Sequence, residues 1–451
     1  MTEPRLYLDP GPTAPGARMG ALLRDLGARA GAVSAHEVAR QAVFLAALLT
    51  AWISLKPFPS LSGAELGDLV TGQEALTYAT FGALSAAAVA LVVPRQRRAL
   101  ASCLSPPILA LAGWLGLSVV LSQDPATSGK RLTLTVAVAV LAACLPLLAR
   151  SRIELRNLLA TAALTLLAVC YLGLVVAPEV SIHQLGDFLE PSLAGNWRGS
   201  FGHKNVAGAV MAMLLFVGTG VFRSGARSAG LAIVLLAGLF LIGSEDKSAL
   251  ALGLLVFAVT GLFTVVRSLP GRALLAFGPV VLLNLFTVGT VVHPGLAAIV
   301  QALPVDATFT GRTAIWQFAV ESFAARPIAG HGFVAFWSTH ATREVASTGG
   351  SWAGLAAHSH NGYLDSALTL GLVGLGLTVL VLVVTPLRNY QRACEAGSGS
   401  DPLATMFLQI WLFGVLLSVM ESFFYDRADP IWATFLVAVF ALHYLARFRT
   451  R

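Results

Sequence analysis

The feature that most constrains this chain is a series of long apolar runs separated by short polar connections. A helix needs about 20 mostly apolar residues to cross the hydrocarbon core of a bilayer. About twelve runs approach that length, which predicts an all-α polytopic membrane protein with about twelve transmembrane helices. Only 12% of the 451 residues are charged, roughly half the share in a soluble domain. We therefore expect the net charge of +7 to reflect membrane topology rather than nucleic-acid binding.

The predicted spans divide the chain into five parts. The spans are 41–56, 75–93, 103–122, 132–149, 157–177, 205–222, 229–244, 248–266, 273–293, 361–386, 403–420 and 428–446. The parts are a cytoplasmic tail at 1–40, helices 1 to 9 within 41–293, a periplasmic loop domain with short helices at 294–360, helices 10 to 12 within 361–446, and a short cytoplasmic tail at 447–451.

The distribution of arginine predicts the orientation, because cytoplasmic loops of membrane proteins are enriched in basic residues. If the N-terminus is inside, every loop that carries a compact arginine cluster is also inside. These clusters contain Arg95, Arg97, Arg98, Arg150, Arg152, Arg156, Arg223, Arg227, Arg267, Arg272, Arg388 and Arg392, followed by Arg447, Arg449 and Arg451. An even number of spans with both termini in the cytoplasm follows.

The basic residues left outside run against this rule, so some of them are candidates for binding an anion. A few exposed basic residues on an external loop also need no functional explanation when taken singly. The outer set is Lys56, Lys130, Arg131, Arg198, Lys204, Lys247, Arg312, Arg326, Arg343 and Arg427.

The long external loop contains one helix candidate. Ile315, Ala319 and Phe323 recur at four-residue spacing, and Arg326-Pro327 would end the helix. With its aromatic residues, it is predicted to lie on the membrane surface or to cap the bundle.

Histidine is concentrated at the outer ends of the predicted helices. His358 and His360 stand where the external loop enters the tenth span, and histidine is suited to general acid–base chemistry near neutral pH. Asn361 is positioned to cap that helix, and Asp365 lies one turn further on. We expect no metal here, since no HxxxH or cysteine-containing motif accompanies the pair.

Three further polar clusters face the same side. The first contains Arg198, His203 and Lys204 with glycines that allow close backbone approach to a ligand. The second places Arg312 at the start of the loop helix, where backbone N–H groups favour a phosphate. The third is a polar turn containing Lys247.

Three ordered motifs resemble the O-antigen ligase and polymerase superfamily. They are Arg198-Gly-Ser-Phe-Gly-His-Lys-Asn205, Gly311-Arg-Thr-Ala-Ile-Trp316, and His358-Ser-His-Asn-Gly-Tyr-Leu364 followed by Gly371-Leu-Val-Gly-Leu-Gly376. The first motif is most similar to exopolysaccharide polymerases of the succinoglycan type. The resemblance covers residues 190–385.

The resemblance implies metal-independent glycosyl transfer, without a cofactor, at the periplasmic face of the bacterial inner membrane. The donor would be an oligosaccharide on undecaprenyl pyrophosphate, and a single displacement would invert the anomeric centre. His360 would be the base, with His358 as the alternative, and Arg312 would hold the pyrophosphate. Arg198, Lys247, Lys204, His203, Asn361 and Asp365 complete the expected site. Lys247 stands where the family often has arginine. The lysine offers a point charge in place of the planar guanidinium fork.

Three functions remain open at the level of sequence. A polymerase would join repeat units, alongside a chain-length regulator or flippase, whereas a ligase would move a finished glycan to lipid A core or to protein. These motifs do not separate the two enzymes. A transporter or flippase would place ionisable residues at mid-membrane depth, and the sequence shows few there.

Overall fold

The structure is a computed structural model that describes residues 34–59, 73–187, 191–304, 306–337, 342, 353, 356–397, 399 and 401–448. The predicted N-terminal tail up to residue 33, His340, Arg343, Arg449 and Arg451 lie outside the described residues. In the described part, regular structure is helical apart from an isolated antiparallel bridge between Ile182 and Trp197.

The principal helices are numbered in chain order. They are α1 (Ala35–Ile53), α2 (Gln73–Ala101), α3 (Pro106–Val120), α4 (Pro125–Leu148), α5 (Arg152–Val176), α6 (Lys204–Arg223), α7 (Arg227–Ser244), α8 (Lys247–Leu262), α9 (Leu269–Phe286), α10 (Arg312–Ala325), α11 (Gly362–Thr378), α12 (Thr385–Glu395), α13 (Pro402–Leu417) and α14 (Pro430–Leu445). A π-helical stretch, Val379–Val384, joins α11 to α12 without interruption.

Length and composition confirm a polytopic membrane protein. Seven described helices are long and apolar enough to cross a bilayer, and four shorter helices are also apolar. The shorter ones are α3, α8, α13 and α14. With α1 they match the twelve predicted spans in order, but the number of crossings and the location of the termini remain predictions.

Several predicted bounds were wrong, for identifiable reasons. α1 begins at Ala35, inside the predicted tail, because Ser34 caps it by accepting a hydrogen bond from the Glu37 amide. Arg40 is buried in this helix and pairs with Glu154 of α5 at 3.4 Å, so its charge did not mark a tail. The ninth span ends at Phe286 rather than 293, and the tenth continues through α12 to Glu395.

Aspartate–proline pairs begin three helices of the bundle. Asp124, Asp401 and Asp429 each cap a helix whose first residue is proline. The carboxylate accepts a backbone N–H that has no partner in the first turn, and proline removes another such donor. These caps fix where α4, α13 and α14 start.

Nearly every side chain of helix α13 is buried. It packs against α6, α8 and α14. The chain leaves its far end at Leu417 and reaches Glu421 four residues later. This buried helix therefore places the carboxylate at one end of the bundle.

Helix α10 is the predicted loop helix, and the structure confirms it. It packs on α11 through Ile315, Trp316 and Ala319. The indole of Trp316 donates to the backbone oxygen of Ser359 at 2.9 Å, which ties α10 to the entrance of α11. The helix thus caps the bundle beside residues 358–361.

Helix α11 is broken at Gly371, where φ is +69°. Residues 327–332 pack against the break and fill it. His331 and Gly332 donate backbone N–H groups to the carbonyls of Leu368 and Thr369 at 3.0 and 2.9 Å, which satisfies oxygens that the break releases. A Cβ atom at Gly371 would lie 1.9 Å from a backbone oxygen, so this close approach requires glycine.

Candidate functional site

The segment that carries His358 and His360 is held by the cap of α11. Asn361 is fully buried, and its Oδ1 accepts from the amides of Tyr363 and Leu364 at 3.1 and 2.9 Å. Its Nδ2 donates to Asn284 of α9. The predicted cap is confirmed. Directly before it, His360 has a φ of +55°, a conformation that non-glycine residues rarely adopt and that often marks functional sites.

Glu421 is the centre of the site. Its Oε2 lies 3.2 Å from Nδ1 of His360, and its Oε1 accepts from Nη2 of Arg312 at 3.2 Å and from Nδ2 of Asn205 at 3.1 Å. Four elements meet here: the loop before α11, the start of α10, the start of α6 and the segment after α13. One carboxylate therefore joins a candidate base to a candidate anion-binding arginine.

The electrostatics keep this carboxylate ionised. Burial alone would raise the pKa of Glu421, but the hydrogen bond from His360 and the charge of Arg312 outweigh it and hold the pKa at about 2. Because an ionised carboxylate has no proton to donate, Nδ1 of His360 must be the donor in their hydrogen bond. In neutral His360 the lone pair is then on Nε2.

His358 has a different tautomer. Its Nδ1 accepts the backbone N–H of His360 at 3.3 Å, so the ring proton of neutral His358 is on Nε2. Burial, and then the charge of His360, lower the pKa of His358, which favours the neutral form. The two rings are in edge contact, with centroids 4.2 Å apart. His358 is thus arranged as a hydrogen-bond donor, and His360 as an acceptor.

Within the described residues, Arg312 is held by Met420 and Glu421. It is the first residue of α10, after Gly311, whose φ of +85° turns the chain into the helix. Nη1 of Arg312 donates to the Met420 oxygen at 2.6 Å, while Nη2 contacts Glu421. A guanidinium carries five N–H donors, so these contacts fix its plane and leave capacity for an anion.

Asp365 supports the histidine segment. Its Oδ1 accepts from the indole of Trp337 at 2.8 Å, and its carboxylate accepts from the Ser359 amide at 3.2 Å. The polar atoms of both Asp365 and Asn361 bind protein partners, and these bonds hold residues 358–361 in place. The substrate contacts expected for these two residues remain a prediction.

The remaining predicted residues lie on neighbouring elements, with separate partners. Arg198 is 1% exposed and donates to the Pro59 oxygen at 2.8 Å, which connects it to the chain after α1 rather than to Glu421. His203 caps α6 by accepting the Asn205 amide. Nζ of Lys204 donates to the Glu245 oxygen at 3.1 Å. Lys247 is exposed at the start of α8.

The first motif reaches Glu421 through Asn205, two residues beyond His203. Asn205 follows Lys204 in the first turn of α6. Because Asn205 contacts Glu421 and Lys204 contacts the Glu245 oxygen, Lys204 and the turn at Glu245 border the site. The structure therefore brings together His358, His360 and Arg312, with Lys204 on an adjoining turn, while Arg198 contributes to the surrounding framework.

The same side chains have the spacing of a possible metal site. One ligand atom each from His358, His360 and Glu421 lies within 4.8 Å of the others. The guanidinium of Arg312 already supplies a fixed positive charge to the same carboxylate. The absence of a metal remains a prediction.

Sequence reasoning missed Glu421. It is 61 residues from His360 and 109 from Arg312, and a single sequence does not reveal such pairings. The available signal was a carboxylate at the end of an apolar span, where burying a charge is costly unless it is paired. Asn205 was part of a recognised motif, but its role depended on this missed partner.

Fold and site together define a polytopic membrane protein with cationic and acid–base groups gathered at one end of its bundle. Residues 211–379 match the family described as O-antigen ligase. This range includes Arg312, His358 and His360 but not Glu421 or Arg198.

A curated relative extends the comparison. The chain is 28% identical over 257 residues to the exopolysaccharide production protein ExoQ of Rhizobium meliloti (strain 1021). The match covers 55% of this chain and 57% of that protein, so the chain spans little more than half of its relative. The two matches confirm the resemblance to the O-antigen ligase and polymerase superfamily and to its exopolysaccharide-producing members.

Proposed function

We propose that this protein is a membrane glycosyltransferase that polymerises oligosaccharide repeat units carried on undecaprenyl pyrophosphate. The observation that carries the proposal is the contact of one ionised carboxylate, Glu421, with both His360 and Arg312. This arrangement links a base for an acceptor hydroxyl to a cation for a diphosphate leaving group.

Arg312 acts on the donor. A sugar linked to a lipid diphosphate has a good leaving group once the developing negative charge on the diphosphate is compensated. The contacts of Arg312 with Met420 and Glu421 orient its guanidinium before the donor arrives. Lys204, on the adjoining turn, adds a second cation within the same region.

His360 acts on the acceptor. Nε2 takes the proton of the acceptor hydroxyl as its oxygen attacks C1 of the donor sugar. The bond from C1 to the diphosphate oxygen breaks, and its electron pair leaves with the polyprenyl diphosphate. Glu421 stabilises the imidazolium that forms, as a carboxylate does for histidine in hydrolytic triads. A single displacement of this kind inverts the anomeric centre.

His358 assists without serving as the base. Its Nε2–H is available to donate to a diphosphate or sugar oxygen, whereas its Nδ1 lone pair is occupied by the His360 amide. Of the two histidines, the tautomers therefore favour His360 for proton abstraction.

A polymerase is favoured over a ligase because the curated relative is named for exopolysaccharide production. Transfer to lipid A core or protein is the second candidate, supported by the family's description as O-antigen ligase. The arginine distribution supports a site on the periplasmic face of the bacterial inner membrane. A chain-length regulator or a flippase of the same pathway is the expected protein partner.

The test is product analysis in proteoliposomes that contain the full chain and an undecaprenyl-pyrophosphate oligosaccharide of the host. Wild type should yield lengthened lipid-linked glycan and one undecaprenyl diphosphate per new linkage, with or without EDTA. Activity that requires lipid A core or protein as the acceptor would identify a ligase. Abolition by EDTA, or movement of donor across the bilayer without a new bond, would overturn the mechanism.

A further inference from the structure

A basic cavity lies at the end of the bundle opposite Glu421. It has a volume of about 790 Å³ and is bordered by the end of α2, the α4–α5 junction, the start of α13 and the end of α14. α13 begins at this cavity and ends near Glu421, and its 16 residues rise about 24 Å. The cavity and the candidate site are thus separated by most of a bilayer core.

Its charge is strongly one-sided. Five arginines line it, against a single aspartate, Asp401. Arg152 pairs with Asp401 at 2.9 Å, Arg150 with Glu37 at 3.2 Å, and Arg95 contacts His36 at 3.0 Å. Within the described residues, the exposed guanidinium groups of Arg97 and Arg98 make no ion pair.

A kink in α2 builds this concentration of charge. Pro94 lies inside the helix, and Gln96 departs from helical geometry with φ −129° and ψ 26°. The Gln96 side chain then donates to the Leu147 oxygen of α4 at 2.9 Å. This bond fixes the arginine-rich end of α2 beside Arg150 and Arg152, which come from a distant part of the sequence.

Part of the cavity wall is apolar. Leu147, Leu155, Phe407 and Leu445 line it together with the arginines. Outside it, Val93 and Ile153 are exposed, at 39% and 62%, next to Pro94 and Arg152. A ligand that fits these surfaces carries a negative headgroup and hydrocarbon chains that continue into the lipid.

We propose that this cavity binds the headgroup of an anionic phospholipid from the leaflet opposite the candidate glycosyl-transfer site. The positive-inside rule explains why arginines occur in these loops. It does not explain their convergence on one amphipathic cavity through a proline kink and the half-buried hydrogen bond of Gln96. Basic pockets between helices at the cytoplasmic side are a recurrent setting for such headgroups. Inorganic phosphate would match the arginines but leave the apolar walls without a role.

The test uses purified, delipidated full-length protein in detergent, with tetraoleoyl cardiolipin as the probe. Thermal unfolding is followed while the lipid is added, with phosphatidylcholine and inorganic phosphate as separate arms. Cardiolipin should raise the midpoint, and phosphatidylcholine and phosphate should not. An equal effect of phosphate at the same concentration would overturn the assignment to a lipid, as would an equal effect of phosphatidylcholine.

The double variant R97Q/R98Q should need roughly thirtyfold more cardiolipin for the half-maximal shift, since each arginine near a membrane contributes about a fivefold factor. The matched control is R227Q/R388Q, which removes the same charge from exposed positions on the same face but outside the cavity. The control should respond like wild type. Equal weakening of both double variants would show bulk attraction and contradict a defined site. Both variants should unfold like wild type without lipid, which checks that they are folded.

Discussion

Replacing Glu421 by glutamine tests the electrostatic core of the site. The substitution keeps the shape of the side chain but removes the charge that faces His360 and Arg312. The pKa of Glu421 falls from an ordinary 4.5 to about 2, and this difference corresponds to about 3 kcal/mol in favour of the ionised form. The side chain is only 20% exposed, so water screens this interaction weakly.

Interaction energies are reciprocal, so the carboxylate of Glu421 stabilises the charged forms of its partners by a comparable total free energy. If about half of it reaches the imidazolium that forms during transfer, E421Q should slow the chemical step by about tenfold to a hundredfold. The assay is the single-turnover transfer of a lipid-linked oligosaccharide at saturating donor. Glu245→Gln, on an exposed neighbouring turn, is the matched loss of charge and should retain the wild-type rate. An E421Q rate within about threefold of wild type would show that the charge of Glu421 does not stabilise the imidazolium during transfer.

Three further changes test the donor site, the break in α11 and the titration of Glu421. Arg312→Lys keeps the charge but loses the planar fork, so the KM for donor should rise by about tenfold, while Arg326→Ala in the exposed loop should leave it unchanged. Gly371→Ala forces a Cβ to within 1.9 Å of a backbone oxygen at a positive φ and should cost at least about 2 kcal/mol of stability, visible as a lower thermal midpoint. Gly376→Ala, where a Cβ meets nothing within 4 Å, should unfold like wild type. Because the pKa of Glu421 is depressed to about 2, its stabilisation is present above pH 4.5 and is lost as the pH falls towards 2, so acid unfolding curves of wild type and E421Q should converge in that range.

The sequence was informative where local chemistry decides structure. Apolar runs predicted the spanning helices, and the Asn361 cap and the Arg326-Pro327 stop followed from short-range rules. The start of α1 was misplaced because Arg40 and Glu37 looked like tail residues until their partners across the bundle, Glu154 and Arg150, were known.

The site was predictable only in part for the same reason. Arg312 and the histidines are recognisable from their motifs, but the carboxylate that joins them comes from a loop after α13 with no motif of its own. Likewise, Arg198 has the residue type expected for an anion site, yet its buried contact with Pro59 could not be read from the sequence. Contacts between residues far apart in the sequence determine both the role of Glu421 and the position of Arg198.

The most direct test compares the single-turnover transfer rates of His360→Ala and His358→Ala at saturating lipid-linked donor. Loss of the base at His360 should slow transfer by about a thousandfold, whereas His358→Ala should slow it by about tenfold. Donor binding, measured separately, should persist in both variants because Arg312 remains. Wild-type transfer by His360→Ala, or a larger loss in His358→Ala, would contradict His360 as the base.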